Sequence, residues 1–384
     1  MTNIPEPGNE IDFSKLKSYS YEIGPIRPPS EGGSFSLLLR VTGNCPWSRC
    51  TFCYGRFYNR EKFRLRPVEE VKADIDAVKG IADELTAISL KLGHAGNLQP
   101  IGAIVQSGLI EDRDRYALTE HDYNNIQSVV NTYNWLVAGG RTVFLQDADT
   151  LIIKAAQLIE IISYLKELFP GITRITTYAR SKSISHKTPE ELKALKEAGL
   201  TRLHVGFETG DDELLKLIDK GVTAEEQISA GKKALAAGFE LSEYVMPGLG
   251  GKKLWRQHAE NTARVLNEID PDFIRLRPFV PSADTPLLES YRNGEFEMLS
   301  PHEILREVRL MIENLEVNSG VCFDHNLNTS YRSGNVVVPL MKQDYNGYKF
   351  PDEKDAVLEL IDKALSLDEK LFVDLRNSVG ATSM

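Results

Sequence analysis

The sequence has few cysteines and no long apolar run, and both shortages exclude whole classes of protein. Four cysteines in 384 residues cannot form the dense disulfide framework of a small secreted domain. The best apolar candidate, residues 150–165, contains Lys154, Gln157 and Glu160, which is typical of an amphipathic helix rather than a membrane span. The first residues lack the basic start and the apolar core of a signal peptide, so we expect a cytoplasmic protein.

Positive charge is also in short supply. The 55 acidic residues outnumber the 45 basic residues, and the formal net charge is −10. Nucleic acids and anionic membranes attract basic surfaces, so we expect neither of them as the partner. Hydrophobic residues make up 42% of the chain, which is ordinary for a globular protein and excludes a disordered one.

The cysteines that are present lie close together in the sequence. Cys45, Cys50 and Cys53 fall in the segment NCPWSRCTFC, here called the cysteine loop (residues 44–53), and Cys322 is distant. A structural zinc site needs four ligands, and this loop offers one C-x-x-C pair and a single extra cysteine. Three thiolates on a [4Fe–4S] cluster leave one iron open to an outside ligand. The pattern favours this cluster; a zinc site and a four-cysteine cluster completed by Cys322 remain alternatives.

A regular alternation of strand and helix patterns predicts the fold. A first strand is expected at 34–41, before the cysteine loop, and five more follow at 142–146, 174–178, 202–207, 241–246 and 273–278. Helical patterns follow the later strands, and capping boxes begin at Thr188, Thr223 and Ser300. Such units form parallel sheets. We therefore predict an α/β protein, a partial (β/α)6 TIM-like barrel, in which the chemistry lies where strands end.

The same pattern divides the chain. Residues 1–33 are rich in Pro, Gly and Ser and are interpreted as an N-terminal arm. The barrel is expected over 34–290, with a helical insertion at about 68–140 after its first strand. Residues 291–384 form a C-terminal extension that is a candidate substrate lid.

These residues resemble a known family. A cysteine loop after the first strand of a six-unit barrel, with the aromatic Phe52 before the last cysteine, is similar to the radical S-adenosylmethionine (radical SAM) enzymes. The segment RLHVGFETG, which ends at Gly210, resembles the fourth strand of the branch with oxygen-independent coproporphyrinogen oxidases and methylthiotransferases. The resemblance covers about 35–288. The spacing departs from the family's usual C-x3-C-x2-C, because this chain has C-x4-C-x2-C.

The resemblance implies two cofactors, a [4Fe–4S] cluster on Cys45, Cys50 and Cys53 and S-adenosylmethionine (SAM). It implies that Glu208 binds the ribose, although an acidic residue at a helix start would look the same. It implies that SAM also contacts Phe52 and the ends of several strands. The methionine amino group would lie at residues 146–149, its carboxylate at Arg180 or Lys182, and the adenine at VMPGLGG. The residues expected at these strand ends are Gln146, Asp147, Ala148, Asp149, Arg180, Val245 and Met246. One of the aspartates is expected to cap the helix that begins near Thr150.

The resemblance also implies an activity. A reduced cluster would split SAM into methionine and a 5′-deoxyadenosyl radical, which abstracts hydrogen from an unidentified small molecule. The enzyme would be oxygen-sensitive and would need an electron donor such as a flavodoxin or ferredoxin. The alternatives are a tRNA- or peptide-modifying radical enzyme and a non-catalytic iron–sulfur protein. A second cysteine cluster and a cobalamin-sized domain are absent from the sequence, which disfavours methylthiolation and cobalamin-dependent methylation.

Substrate residues are harder to assign. Cys322, Asp324 and His325 stand together in VCFDHNLNTSY, with Asn328 beside them, and are the catalytic candidates; Cys322 is equally consistent with a buried small side chain. Arg277, after the sixth strand, is a candidate for an anionic substrate or for a salt bridge. Residues 56–66 carry five basic side chains and one acid, which indicates either a solvated loop or a clamp for an anion.

Overall fold

The computed structural model describes residues 11–28, 35–55, 60–111 and 118–380. Its centre is one eight-stranded sheet whose strands follow each other in chain order. We number these strands β1 (Leu37–Arg40), β2 (Thr142–Gln146), β3 (Arg174–Ala179), β4 (Leu200–Glu208), β5 (Glu240–Val245), β6 (Phe273–Leu276), β7 (Gly320–Cys322) and β8 (Tyr348–Lys349).

Strands β1 to β7 are all parallel, and β8 pairs antiparallel with β7. β1 and β8 are the two edge strands, so the barrel is partial. Two small antiparallel pairs lie outside this sheet. One joins Thr42–Gly43 to Arg64–Leu65 and brackets the cysteine loop; the other joins Ser330–Ser333 to Val336–Pro339.

The helices form an outer layer around the sheet. The helices are α1 (Ser14–Ser18), α2 (Val68–Lys91), α3 (Gly102–Ile110), α4 (Glu120–Val137), α5 (Ala155–Leu168), α6 (Ser181–His186), α7 (Pro189–Ala198), α8 (Asp212–Leu217), α9 (Ala224–Ala236), α10 (Gly251–Ile269), α11 (Pro286–Arg292), α12 (Pro301–Glu313) and α13 (Lys354–Leu365). α2 and α4 pack on β1, and neighbouring helices contact each other in the pairs α2–α5, α5–α7, α6–α9, α9–α10, α10–α12 and α12–α13.

Local sequence explains where several helices begin. Thr188, Thr223 and Ser300 each accept a hydrogen bond from the backbone three residues on, where a glutamate returns the bond. These capping boxes satisfy backbone groups that a helix start leaves unpaired. The three predicted caps are confirmed.

The predicted parallel barrel is confirmed, and the C-terminal extension adds to it. β7 and β8 come from this extension, so the sheet has a seventh parallel strand beyond the six predicted. The expectation missed β7 because three residues carry too little periodicity. The helix expected from about residue 150 begins at Ala155, after a short 3₁₀ turn at Thr150–Ile152.

The N-terminal arm is packed where the structure describes it. Leu16 and Tyr21 are buried in the main core, and Asn125 on α4 donates hydrogen bonds to the carbonyls of Leu16 and Tyr19. Residues 1–10 and 29–33 of the predicted arm lie outside the described residues. Across the described ranges, no helix is both long enough and apolar enough to cross a membrane.

The packing of β1 against the helices yields a first prediction. Leu39 is 0% exposed within the core, and we expect Leu39→Ala to lower the free energy of unfolding by about 2–5 kcal/mol through lost burial and a cavity. Leu90, 58% exposed on α2, gives the matched control; Leu90→Ala should stay within about 0.5 kcal/mol of the parent. Urea unfolding of both variants measures this, and equal effects would contradict the packing.

Candidate active site

The cysteine loop lies at the edge of the sheet where the parallel strands end, because it follows β1 directly. Cys45, Cys50 and Cys53 are all partly exposed. The backbone nitrogens of Cys53 and Tyr54 donate to the carbonyl of Cys50, at 3.0 and 2.7 Å. This tight turn brings the second and third thiols of the loop together.

The loop is fastened to the turn after α8. The indole of Trp47 donates to the carbonyl of Asp219 at 2.6 Å, and the backbone nitrogen of Thr51 donates to the carbonyl of Ile218 at 2.9 Å. Both bonds hold the cysteine loop against the chain segment that follows β4. The thiols are therefore fixed relative to the end of that strand.

The three thiols form one electrostatic group. Burial, with a smaller contribution from the neighbouring cysteines, raises the pKa of Cys50 to about 11 and that of Cys53 to about 12. Thiols in this state become thiolates when a metal binds them. In the part of the chain that the structure describes, no three His, Cys, Asp or Glu side chains are grouped to hold a single metal ion. Three thiols on one loop match the donor set of a [4Fe–4S] cluster that leaves one iron open.

A buried ion pair stands beside the thiols. Lys220 donates to Glu208 at 2.8 Å, and its ammonium lies 5.7 Å from the centre of the Phe52 ring. Burial opposes the charge of Lys220, but Glu208 and Cys50 outweigh it and raise the pKa of Lys220. The sequence analysis missed Lys220, since nothing local distinguishes it from a surface lysine in a turn.

The position of Glu208 corrects one alternative. Glu208 is the last residue of β4 and has a positive φ of 65°; it does not begin a helix, because α8 starts later and is capped by Asp211. A Cβ on Gly206 would lie 2.6 Å from the Glu208 carboxylate and 3.2 Å from the Lys220 ammonium. The glycine leaves the room in which this pair meets.

Arg180 joins the same group of charges. Its guanidinium donates to the carbonyl of Lys220 at 2.8 Å and lies 5.0 Å from the centre of the Trp47 ring. The competing candidate, Lys182, forms an ion pair with Glu226 at the start of α9 instead. Of the two, Arg180 is the one that stands beside the cysteine loop.

Asp149 organises the turn that carries Arg180. It accepts hydrogen bonds from the Arg180 backbone nitrogen at 3.2 Å and from the Ser183 hydroxyl at 2.6 Å. Burial raises the pKa of Asp149 to about 6. Its side chain therefore bonds to the start of α6 and does not cap the turn at Thr150. One of the two aspartates was expected to form that cap.

The rest of the segment 146–149 is also engaged within the protein. The Gln146 amide exchanges hydrogen bonds with the backbone of Gly24, and Asp147 forms an ion pair with Arg40 at 2.7 Å. Ala148 is partly exposed, whereas the other three are 0% exposed. One oxygen of Asp147, Oδ1, has no hydrogen-bond partner among the described residues.

The turn after β5 is supported from beneath. The side chain of Val245 is buried in the core, whereas Met246 is partly exposed. His258 contacts the Met246 carbonyl at 3.1 Å, and the Gly248 nitrogen donates to Glu307 at 2.7 Å. Burial raises the pKa of Glu307 to about 8. The sequence analysis missed both supporting residues.

The C-terminal candidates divide into buried and accessible groups. Cys322 is 0% exposed and Asp324 is tied to Arg275 in a buried ion pair. Burial raises the pKa of Cys322 to about 12. His325 is partly exposed, and burial followed by the charge of Arg277 lowers its pKa to about 4.

The described part of the basic segment is used within the protein. Arg64 and Arg66 both reach Glu22, and Arg66 also pairs with Asp74 at 2.5 Å. Arg60 donates to the carbonyl of Asp284. The alternative of an anion clamp therefore has no free arginine among the described residues of this segment, and residues 56–59 lie outside them.

Comparisons with known proteins find a family match and several relatives. Residues 112–262 match the family described as the radical SAM superfamily. The tRNA uridine(34) acetyltransferase of Methanocaldococcus jannaschii is 26% identical over 305 residues, 73% of this chain and 48% of that protein. The heme chaperone HemW of Bacillus subtilis is 21% identical over 179 residues, 46% of this chain and 47% of its own.

A solved structure, Elp3 from Methanocaldococcus infernus, is similar with a TM-score of 0.42 and 16% identity, over 58% of this chain and 54% of that one. The chain thus spans about half the length of these relatives.

Glu307 generates a prediction on pH. Its carboxyl ionises near 4.5 when unfolded and near pH 8 when folded, so between these values only the unfolded state releases the proton. This group therefore lowers the free energy of unfolding by about 1.4 kcal/mol for each pH unit in that window. We expect Glu307→Gln to remove this slope and to gain stability over the parent as pH rises from 5 to 8.

Denaturant unfolding at pH 5, 6, 7 and 8 measures the slope. Glu297, whose side chain is 63% exposed, supplies the control Glu297→Gln, which should keep the parent slope. A parental slope in Glu307→Gln would contradict the buried, protonated carboxyl.

Proposed function

We propose that this chain, of which residues 112–262 match the radical SAM superfamily, binds a [4Fe–4S] cluster and SAM and uses both to remove a hydrogen atom from a small-molecule substrate. One observation carries the proposal: three thiols on one loop meet Arg180 and the Lys220–Glu208 pair at the edge where the strands end. The cofactors supply, when bound, one-electron cleavage of the SAM sulfonium.

Cys45, Cys50 and Cys53 hold the cluster in this proposal. Their loop is fixed by the Trp47 and Thr51 bonds to the segment after β4. Lys220 beside Cys50 supplies a positive charge that favours the thiolate state.

Glu208 and Arg180 orient SAM. A carboxylate accepts two hydroxyl bonds from a ribose, and Glu208 has one oxygen on Lys220 and one left for a ligand. The planar guanidinium of Arg180 suits the SAM carboxylate.

Two turns complete the binding of SAM in this proposal, residues 146–149 after β2 and residues 245–251 after β5. The side chains of Gln146, Asp147 and Asp149 are engaged elsewhere, so the backbone of 146–149, with Ala148, offers carbonyls to the amino group. The adenine is assigned to the turn at Val245 and Met246, because Met246 and Phe52 pack against the same apolar cluster.

A second candidate is a tRNA-modifying activity. It is favoured by one relative, named a tRNA acetyltransferase, of which this chain spans about half. The net charge of −10 weakens affinity for a polyanion, so we favour a small molecule. A flavodoxin or ferredoxin would supply the electron.

The cluster assignment is tested by removing single thiols. Anaerobically reconstituted protein should hold about four irons per chain and release 5′-deoxyadenosine with SAM and dithionite. We expect Cys50→Ala to lose both, because two thiols do not retain the cluster, and Cys322→Ala to keep the iron. Iron and zinc analysis and chromatography of the nucleoside provide the measurements.

Two outcomes would contradict the assignment. Finding one zinc per chain in place of iron would mean that the thiols hold a single metal ion and not a cluster. Loss of iron in Cys322→Ala, with Cys50→Ala still loaded, would mean that the ligands are misassigned.

The role of Glu208 is tested by Glu208→Gln. An amide keeps the shape but accepts weaker hydrogen bonds, and a bond to a charged group contributes about 1.5–3 kcal/mol. We expect SAM affinity to fall roughly tenfold or more, at unchanged iron content, in anaerobic titration calorimetry. The exposed Glu225 gives the control Glu225→Gln, which should bind as the parent does; equal affinity in all three proteins would remove Glu208 from the site.

A further inference from the structure

Arg277 forms no ion pair with any residue that the structure describes. It follows β6, and its backbone nitrogen donates to the carbonyl of Val245 at 2.8 Å. Its guanidinium is only partly exposed, and Nε has no hydrogen-bond partner within the described ranges. Its guanidinium carbon lies 4.6 Å from the centre of the Tyr244 ring.

The neighbouring charges do not neutralise Arg277. Asp324, the nearest carboxylate to act on it, is already bound by Arg275. Burial and then the charges of Arg275, Arg202 and Arg277 lower the pKa of His204 well below its ordinary value, so this histidine is neutral at pH 7. A buried cation is costly unless it is paired. The recess around Arg277 therefore carries an uncompensated positive charge.

The walls of this recess are rigid and aromatic. The rings of Tyr178, His204 and Tyr244 lie 5.8–5.9 Å from one another, centre to centre. His204 and Tyr244 are 0% and 5% exposed. Buried aromatic side chains of this kind hold a shape without large rotamer losses, so Arg277 lies on a fixed wall.

Two further polar atoms in the recess lack partners. His204 Nε2 and Asp324 Oδ1 have no hydrogen-bond partner among the residues described. Buried polar atoms are normally satisfied, so an unpaired cation beside two unpaired polar atoms indicates a place for a polar ligand.

The recess differs from the proposed SAM contacts. Besides burial, the groups that act on Arg277 are Tyr244, Tyr178, Asp324 and Arg275, whereas those that act on Cys50 are Lys220, Arg180, Cys45 and Glu208. Both groups lie on the ends of neighbouring parallel strands. A ligand at Arg277 would therefore lie near SAM without using the residues that hold it.

We propose that Arg277 binds an oxyanion of the substrate, a carboxylate or a phosphate, and so sets the substrate class of the proposed enzyme. The planar guanidinium offers two parallel N–H donors to such a group. This rests on the proposed function for its catalytic meaning, but the anion site itself requires neither iron nor SAM.

The test measures anion binding directly in the full-length protein. Inorganic phosphate is followed by ³¹P line broadening and acetate by ¹H saturation transfer, which separates the two oxyanions. We expect Arg277→Gln to weaken binding of the preferred anion at least tenfold and Arg277→Lys to weaken it less, because the charge remains without the planar fork. The exposed Arg292, paired with Glu289 on α11, gives the control Arg292→Gln, which should bind as the parent does.

Three results would overturn the proposal. Parental binding in Arg277→Gln would move the anion elsewhere, and failure of both anions to bind the parent would remove the site. Displacement of the anion by saturating SAM in reconstituted protein would assign Arg277 to SAM instead. Thermal unfolding checks that each variant is folded. If Arg277→Gln does not fold, the binding measured with Arg277→Lys decides the test. Iron content and 5′-deoxyadenosine report separately on the proposed function.

Discussion

The parallel pairing of seven consecutive strands is the constraint on which the rest of the structure depends. Parallel strands all end at the same edge of a sheet, about 5 Å apart. Residues from β1, β3, β4, β5 and β6 that are far apart in sequence are thereby brought within a few strand spacings. The helices matter to the site mainly because they bury the other face of this sheet and fix its curvature.

Charge separates this edge into two regions. Next to the thiols, Lys220 and Glu208 neutralise each other, and Arg180 rests on Trp47. Further round the sheet, the cation of Arg277 remains uncompensated. The first region offers paired groups that can exchange partners with a zwitterion such as SAM, and the second offers a net positive field.

The sequence predicted the parts of this arrangement that have a local signal. Strand–helix alternation and the capping boxes are each visible within a short stretch of sequence, and each predicted the correct element. β7 has three residues and no period to detect. Lys220 and His204 acquire their roles from partners on other strands, and Asp147 meets Arg40 across 107 positions of sequence. Such pairs become visible only when the sheet brings them together.

The contact between Gln146 and the backbone of Gly24 has a consequence for how the barrel is bounded. In an open barrel no further strand covers the edge at β1. Here the backbone of Gly24 lies near that edge and satisfies the hydrogen bonds of the Gln146 side-chain amide. The segment around residue 24 is thus part of the packed structure at this edge of the sheet. The folding unit begins well upstream of the first strand.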